Sequence, residues 1–151
     1  VYNYVRYRIV DPAVADDATA RIFEHVYNSL PRYRADKAPF GAWLFGIARN
    51  IVKDTLRAQA RRRWLSLDAL IHHPGTEPPP EEAADHHDTR EKLLEAVARL
   101  HERERDLIAL KFASGLNNRQ IAALTGLSES NVGVILYRAV QQLRGWLKEE
   151  E

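Results

Sequence analysis

The sequence predicts an all-α chain of two small domains joined by an acidic, proline-rich linker, and three observations support that reading. Apolar residues recur at three- and four-residue intervals in both end blocks, with no alternating strand pattern competing. Four of the seven prolines, Pro74, Pro78, Pro79 and Pro80, gather between those blocks. Charge follows the same division. Residues 1–65 carry 12 basic against 6 acidic side chains, residues 66–91 carry 1 against 7, and residues 92–151 carry 9 against 8. The net charge of +1 therefore hides blocks of +6, −6 and +1, and the basic block is the natural candidate for a polyanionic partner.

The elements of the first domain, residues 1–65, follow from punctuation and period. Asp11-Pro12 starts a helix, since proline at the first helical position gives up only an amide that would be unsatisfied anyway. Ile22, Phe23, Val26, Tyr27 and Leu30 mark its course, and Pro31 ends it. Residues 37–41 read as a loop. A long helix from about Phe40 to Arg63 follows, marked by Trp43, Leu44, Ile47, Ala48, Ile51 and Leu56. It finishes in Arg61, Arg62 and Arg63, which suit the negative end of a helix dipole and equally suit phosphate binding together with Lys53 and Arg57. The linker is assigned to residues 66–89. Its prolines favour extended backbone and its acids repel, so residues 72–87 read as a stiff solvated tether.

The second domain, residues 90–151, opens with a helix marked by Leu93, Leu94, Val97 and Leu100. A second helix, marked by Leu107, Ile108, Leu110, Lys111 and Phe112, stops at Ser114-Gly115. A short helix fits Asn118 to Thr125, and Gly126, Leu127 and Ser128 make a tight break. Ser128 can cap a longer helix through about Trp146. Small or apolar Ile121, Ala122, Gly126, Leu127, Val132 and Ile135 stand where two such helices must touch. This is a helix-turn-helix pattern, whose second helix can enter a major groove, weighed against a plain helical hairpin.

Composition excludes several classes. No apolar run approaches the roughly 20 residues that cross a bilayer, and the start lacks a secretory pattern. With no cysteine there is no disulfide, thiol nucleophile or cysteine-bound zinc, which fits a reducing compartment. The chain also lacks methionine, so a fragment or processed chain is expected. His72, His73, His86 and His87 beside Asp85 and Asp88 invite a metal reading, but they fall in or beside the linker, where nothing would hold a coordination geometry. They read as solvated residues, and no metal, cofactor or catalytic residue is assigned.

At these residues the chain resembles a bacterial sigma factor of the extracytoplasmic-function class. DPAVADDATARIFEHVY resembles the polymerase-docking helix of region 2, and FGAWLFGIARNIVKDTLR resembles its promoter-melting and minus-ten-reading segment. RRRWLSLDAL resembles the exit into the linker. ERERDLIALKFASGLNNRQIAALTGLSESNVGVILYRAVQQLR resembles region 4, which reads the minus-thirty-five element. The match covers nearly the whole chain, and Val1 falls inside the first region 2 helix, so that helix is expected to be truncated.

The resemblance implies a cytoplasmic, non-catalytic protein that gives core RNA polymerase its promoter specificity. Promoter DNA is its other partner, and an anti-sigma factor is a further one that the family allows. Arg32, Tyr33, Arg34, Lys37 and Phe40 supply charge and aromatic surface before the long helix, where unstacked bases need a platform. Asn50 is the residue best matched to an extruded minus-ten base, with Arg49, Lys53 and Arg57 around it and Arg61, Arg62 and Arg63 beyond. Trp43 and Phe23 read as core. Arg119, Ser130, Asn131, Tyr137, Arg138 and Gln141 are the candidates at the minus-thirty-five element. Gly133, Val134, Ile135 and Val140 stand where family members often carry polar side chains, so direct readout has few donors and shape reading gains weight. Docking to polymerase is attributed to Asp16, Asp17 and Thr19, although Ala20 and Arg21 replace the family's usual Gln-Glu pair. A helix-turn-helix activator of the response-regulator output type is the alternative; it would need a receiver domain in place of FGAWLFGIARN.

Overall fold

The computed structural model describes residues 1–66 and 84–149. Among them are seven α-helices and no strand: α1 (Tyr2–Arg8), α2 (Pro12–Ser29), α3 (Phe40–Ser66), α4 (Ala84–Arg99), α5 (Glu102–Ile108), α6 (Asn118–Thr125) and α7 (Glu129–Glu149). Among the described residues, no helix is long and apolar enough to cross a membrane. Most of the tether assigned to residues 66–89, with His72 and His73, lies outside the described residues. Its last six residues are already helical, because no proline follows Pro80 and nothing blocks a helix from Ala84 onward.

Local chemistry explains the boundaries. The Asp11 carboxylate accepts from the amides of Ala13 (2.9 Å) and Val14 (3.4 Å), capping α2 in front of Pro12. Ala15, Ala18 and Ile22 form a narrow buried stripe, whose small side chains let α2 lie close on Phe45, Ala48, Ile51 and Val52 of α3. Pro31 tightens the end of α2 into a 3₁₀ turn, Leu30–Arg32. Later in the chain, the Arg105 guanidinium donates to the carbonyls of Ala98 and Leu100 and so satisfies the end of α4.

One difference from expectation follows α5. The helix predicted through Phe112 widens into a π turn at Ala109–Ala113, where the Ser114 amide reaches back five residues to the Ala109 carbonyl at 3.2 Å. The wider turn leaves Phe112 exposed while Ala109 and Leu110 stay buried. Gly115 and Gly126 then adopt φ of +72° and +76°. Asn117 and Gln120 cap α6 reciprocally, each side chain accepting from the other's backbone amide at 2.9 and 3.0 Å. The Ser128 hydroxyl accepts from the Asn131 amide at 3.1 Å and opens α7, whose Val132, Leu136, Ala139 and Leu143 are buried.

The two blocks do not stand apart. Tyr4, Val5 and Ile9 of the α1 segment belong to the same buried core as Leu107, Ile108 and Leu110. Helix α1 is only seven residues long, too short for its apolar spacing to register as a period, and so the sequence reading assigned it no partner. At its centre the buried Asp106 carboxylate accepts from the Arg8 guanidinium and, at 2.8 Å, from Arg49 Nε, with the Tyr4 hydroxyl at 3.4 Å. Arg49 Nη1 donates to the Leu124 carbonyl at 3.0 Å, tying α3 to the end of α6.

Two outcomes test these features. Burial first, and then the Asp106 charge, pushes the Tyr4 phenol well above the ordinary tyrosine range. A raised folded pKa means that the stabilisation is complete below the unfolded value of about 10 and is lost as pH rises above it. From pH 10 to 11, urea denaturation should show wild type losing about 1 kcal/mol more than Tyr4→Phe, and parallel losses would refute the linkage. Gly126→Ala should cost about 1 kcal/mol because alanine resists positive φ. Gly145→Ala, in α7 with open space around its Cβ position, should stabilise by up to about 1 kcal/mol in the same assay.

Candidate nucleic-acid interface

Helix α3 divides into two faces. At about 100° per residue, Arg49, Asn50, Lys53, Arg57 and Arg61 fall within an arc of about 120°, opposite buried Ala48, Ile51, Val52 and Thr55. Asn50 is exposed at the middle of the helix. Arg57 approaches Asp54 at 3.5 Å, an exposed pair that holds little energy. Arg61, Arg62 and Arg63 lie beyond Thr55, the last buried residue, so α3 ends as an exposed basic rod.

Ahead of that helix, Tyr33, Phe40 and Trp43 form an aromatic cluster with ring centroids 4.9 to 5.5 Å apart. Trp43 is half-buried against these rings and not in the main core, where the sequence reading put it with Leu44 and Ile47. The Tyr33 hydroxyl donates to the Ala38 carbonyl at 3.0 Å and pins the loop. Arg32, Arg34 and Lys37, on the stretch of chain between the two helices, are exposed, and Arg34 is held by Asp36 through two bonds of 2.9 and 3.2 Å. The result is a cluster of tilted and edge-on rings, with cations close by in the chain, that offers aromatic faces to a base and charge to its phosphate.

On α7, Ser130, Asn131, Val134, Tyr137, Arg138 and Gln141 share one exposed stripe opposite Val132, Leu136, Ala139 and Leu143. Val134 is 47% exposed, so its methyls point out of the domain and toward whatever the stripe meets. Ile135 and Val140 flank the buried side and pack partly against the core. Arg119, before the turn, is exposed and 3.9 Å from Glu129.

The face of α2 corrects one expectation. Phe23, read as core, is 53% exposed, and Tyr27 is 79% exposed. With Asp16, Ala20 and Leu30 they make one stripe, because buried Ala15, Ala18 and Ile22 already occupy the side toward α3. Asp16 and Asp17 are exposed, but the Thr19 hydroxyl is spent on the Ala15 carbonyl at 2.8 Å. Periodicity alone could not separate Ile22 from Phe23 or Val26 from Tyr27; the small alanines were the signal of which side packs.

Arg49 is the other correction. It lies at the edge of the basic α3 face, yet its guanidinium is taken by Asp106 and Leu124 and is unavailable to a phosphate in this arrangement. Arg49 and Lys53 line a cleft of about 410 Å³ between α3 and α5, facing Glu102, Arg103 and Asp106. The sequence held a sign of this pairing, since an aspartate inside the apolar run Asp106-Leu107-Ile108-Ala109-Leu110 demands a buried cation.

Comparison with known proteins agrees with this layout. Residues 1–62 match the family model for sigma-70 region 2, and residues 90–143 match that for sigma-70 region 4. The ECF RNA polymerase sigma factor BldN of Streptomyces coelicolor is 29% identical over 150 residues, covering 99% of this chain and 57% of BldN. The chain thus spans little more than half of that relative. RNA polymerase sigma factor CarQ of Myxococcus xanthus is 30% identical over 153 residues, covering 100% of this chain and 84% of CarQ. The sigma factor RpoE of Bartonella quintana, solved in complex with the anti-sigma factor NepR, shares the fold with a TM-score of 0.78 at 21% identity, over 99% of this chain and 91% of that one. With regions 2 and 4 in order along the chain, helices and no strand among the described residues, and a match to CarQ over 84% of that protein, the chain belongs to the sigma-70 family, in its extracytoplasmic-function class.

Proposed function

We propose that the chain docks on core RNA polymerase and directs it to promoter DNA, α7 reading the minus-thirty-five element and the α3 face with its aromatic loop opening and reading the minus-ten element. The observation that carries this reading is the polar stripe of α7, set on a helix-turn-helix opposite a fully buried face. The aromatic cluster, whose Trp43 lies about two turns ahead of exposed Asn50 on α3, supports the melting half. The exposed stripe of Phe23, Tyr27 and Leu30 on α2 is the docking surface, with Asp16 and Asp17 at one end. The anti-sigma factor bound in the RpoE structure supports an anti-sigma factor as a further partner. A cytoplasmic site of action follows from those partners, and the role is binding and not turnover.

Transcription with core polymerase on a random promoter library tests the reading as a whole. Selection of transcripts sharing two elements is expected, whereas transcripts with no common upstream sequence would sink it. Two sharper outcomes follow. Asn50→Ala should lose about 1 to 3 kcal/mol of minus-ten base discrimination and keep that loss on a premelted bubble, while Arg138→Ala should be partly bypassed by premelting. Full base preference with Asn50→Ala in permanganate footprinting would remove Asn50 from the site.

Docking has its own readout. Tyr27→Ser and Phe23→Ser should weaken core polymerase binding about 10- to 100-fold while shifting stability by under about 0.5 kcal/mol, since both rings are exposed. Unchanged affinity in a competition assay would place docking elsewhere.

A further inference from the structure

We infer that Asp106 is an internal latch: it holds the chain closed by occupying Arg49, a cation of the DNA-facing side of α3, with the carboxylate standing where a phosphate oxygen sits when the chain opens. The inference rests on the promoter reading proposed above.

The closed arrangement cannot serve both DNA elements at once. Helix α3 touches α6 of the helix-turn-helix, with Arg49 Nη1 3.0 Å from the Leu124 carbonyl and a Cβ at Gly46 falling 3.4 Å from Leu124 Cδ2. Elements about 25 base pairs apart are separated by roughly 85 Å at 3.4 Å per pair. The two reading helices must therefore come apart before both can be engaged.

Separation is resisted by the apolar core that Tyr4, Val5 and Ile9 share with Leu107, Ile108 and Leu110, and by one polar cluster set within it, which a single substitution can release. Asp106 is 5% exposed and Arg8 1% exposed, and the carboxylate accepts from Arg8 and Arg49 on different helices of the first block. The outer pairs, Arg6–Glu91 at 3.8 Å and Arg8–Glu102 at 3.5 Å, have an exposed acid and add register more than energy. Removing the Asp106 charge alone leaves the buried Arg8 guanidinium with only exposed Glu102, and Arg49 on the cleft wall without its carboxylate, which favours opening. A guanidinium fork accepts carboxylate and phosphate with the same geometry, so latch and DNA compete for one side chain. The coupling is reciprocal: whatever binds the open chain weakens the latch, and the latch weakens that binding by the same factor.

The full chain tests this directly. It has no cysteine, so Glu24→Cys and Gln142→Cys allow a specific dye pair, one on each block. Asp106→Asn should lower energy transfer, with the closed-to-open ratio falling about 100-fold, and should raise promoter-fragment affinity while helical circular dichroism is kept. Arg49→Lys, which keeps the charge and loses the fork, should fall between. In a second arm, Gly46→Cys with Leu124→Cys, joined by a short reductant-cleavable bis-maleimide, should abolish promoter-specific initiation with core polymerase and regain it on cleavage. Wild-type energy transfer in Asp106→Asn, or a crosslinked chain that initiates as well as the cleaved one, overturns the latch. Opening in Asp106→Asn without a promoter-specific transcript from either chain overturns the promoter reading and leaves the clamp standing.

Discussion

A single buried carboxylate decides how the two halves of this chain meet. Asp106 is surrounded by the Arg8 and Arg49 guanidiniums and the Tyr4 hydroxyl, all from the first block, while its own helix belongs to the second. The apolar side chains around it, Val5, Ile9, Leu107 and Ile108, favour contact without choosing an orientation. The ionic cluster chooses one. Ion pairs taken out of water are weak sources of net stability, but they penalise every arrangement that leaves one member alone. The seam is therefore specific because mispairing is costly, and its other features, the cleft beside Lys53 and the contact of α3 with α6, follow from that choice of register.

Much of the fold was legible because its signals are local. Asp11-Pro12, the Asn118–Thr125 helix, Gly126 and Ser128 each act within a few residues, and each stands where its chemistry requires. The π turn was not legible, since a helix that gains one residue per turn keeps an apolar pattern through Ala109 and Leu110. Nor was the seam. Tyr4 and Asp106 are 102 positions apart, and no window of periodicity spans that distance. Of the candidate site, residue types were readable and orientation was not. Phe23 and Ile22 are both apolar neighbours on one helix, and only the packing of Ala15 and Ala18 against α3 turns one outward and the other in.

The exposed stripe of α7 shapes what kind of reading the proposed function allows. Ser130, Asn131, Arg138 and Gln141 can exchange hydrogen bonds with base edges, and Val134 can meet a thymine methyl, but Gly133 offers nothing beyond close backbone approach. So short a list of donors leaves much of the discrimination to groove shape and backbone placement. The proposal asks something different of the α3 side, whose aromatic cluster would meet bases that have already left the stack. Under the proposed function, one half recognises a duplex as a form, and the other what that duplex becomes.

The seam's long reach also has a consequence for the chain's first moments. The helix carrying Tyr4 and Arg8 is synthesised 102 residues before the aspartate position that meets Tyr4. At the usual pace of translation that gap lasts about 5 to 20 s. Throughout it the first block has no second block to close against. Every copy is born unlatched, and its arginines are offered to the cell before they are offered to Asp106.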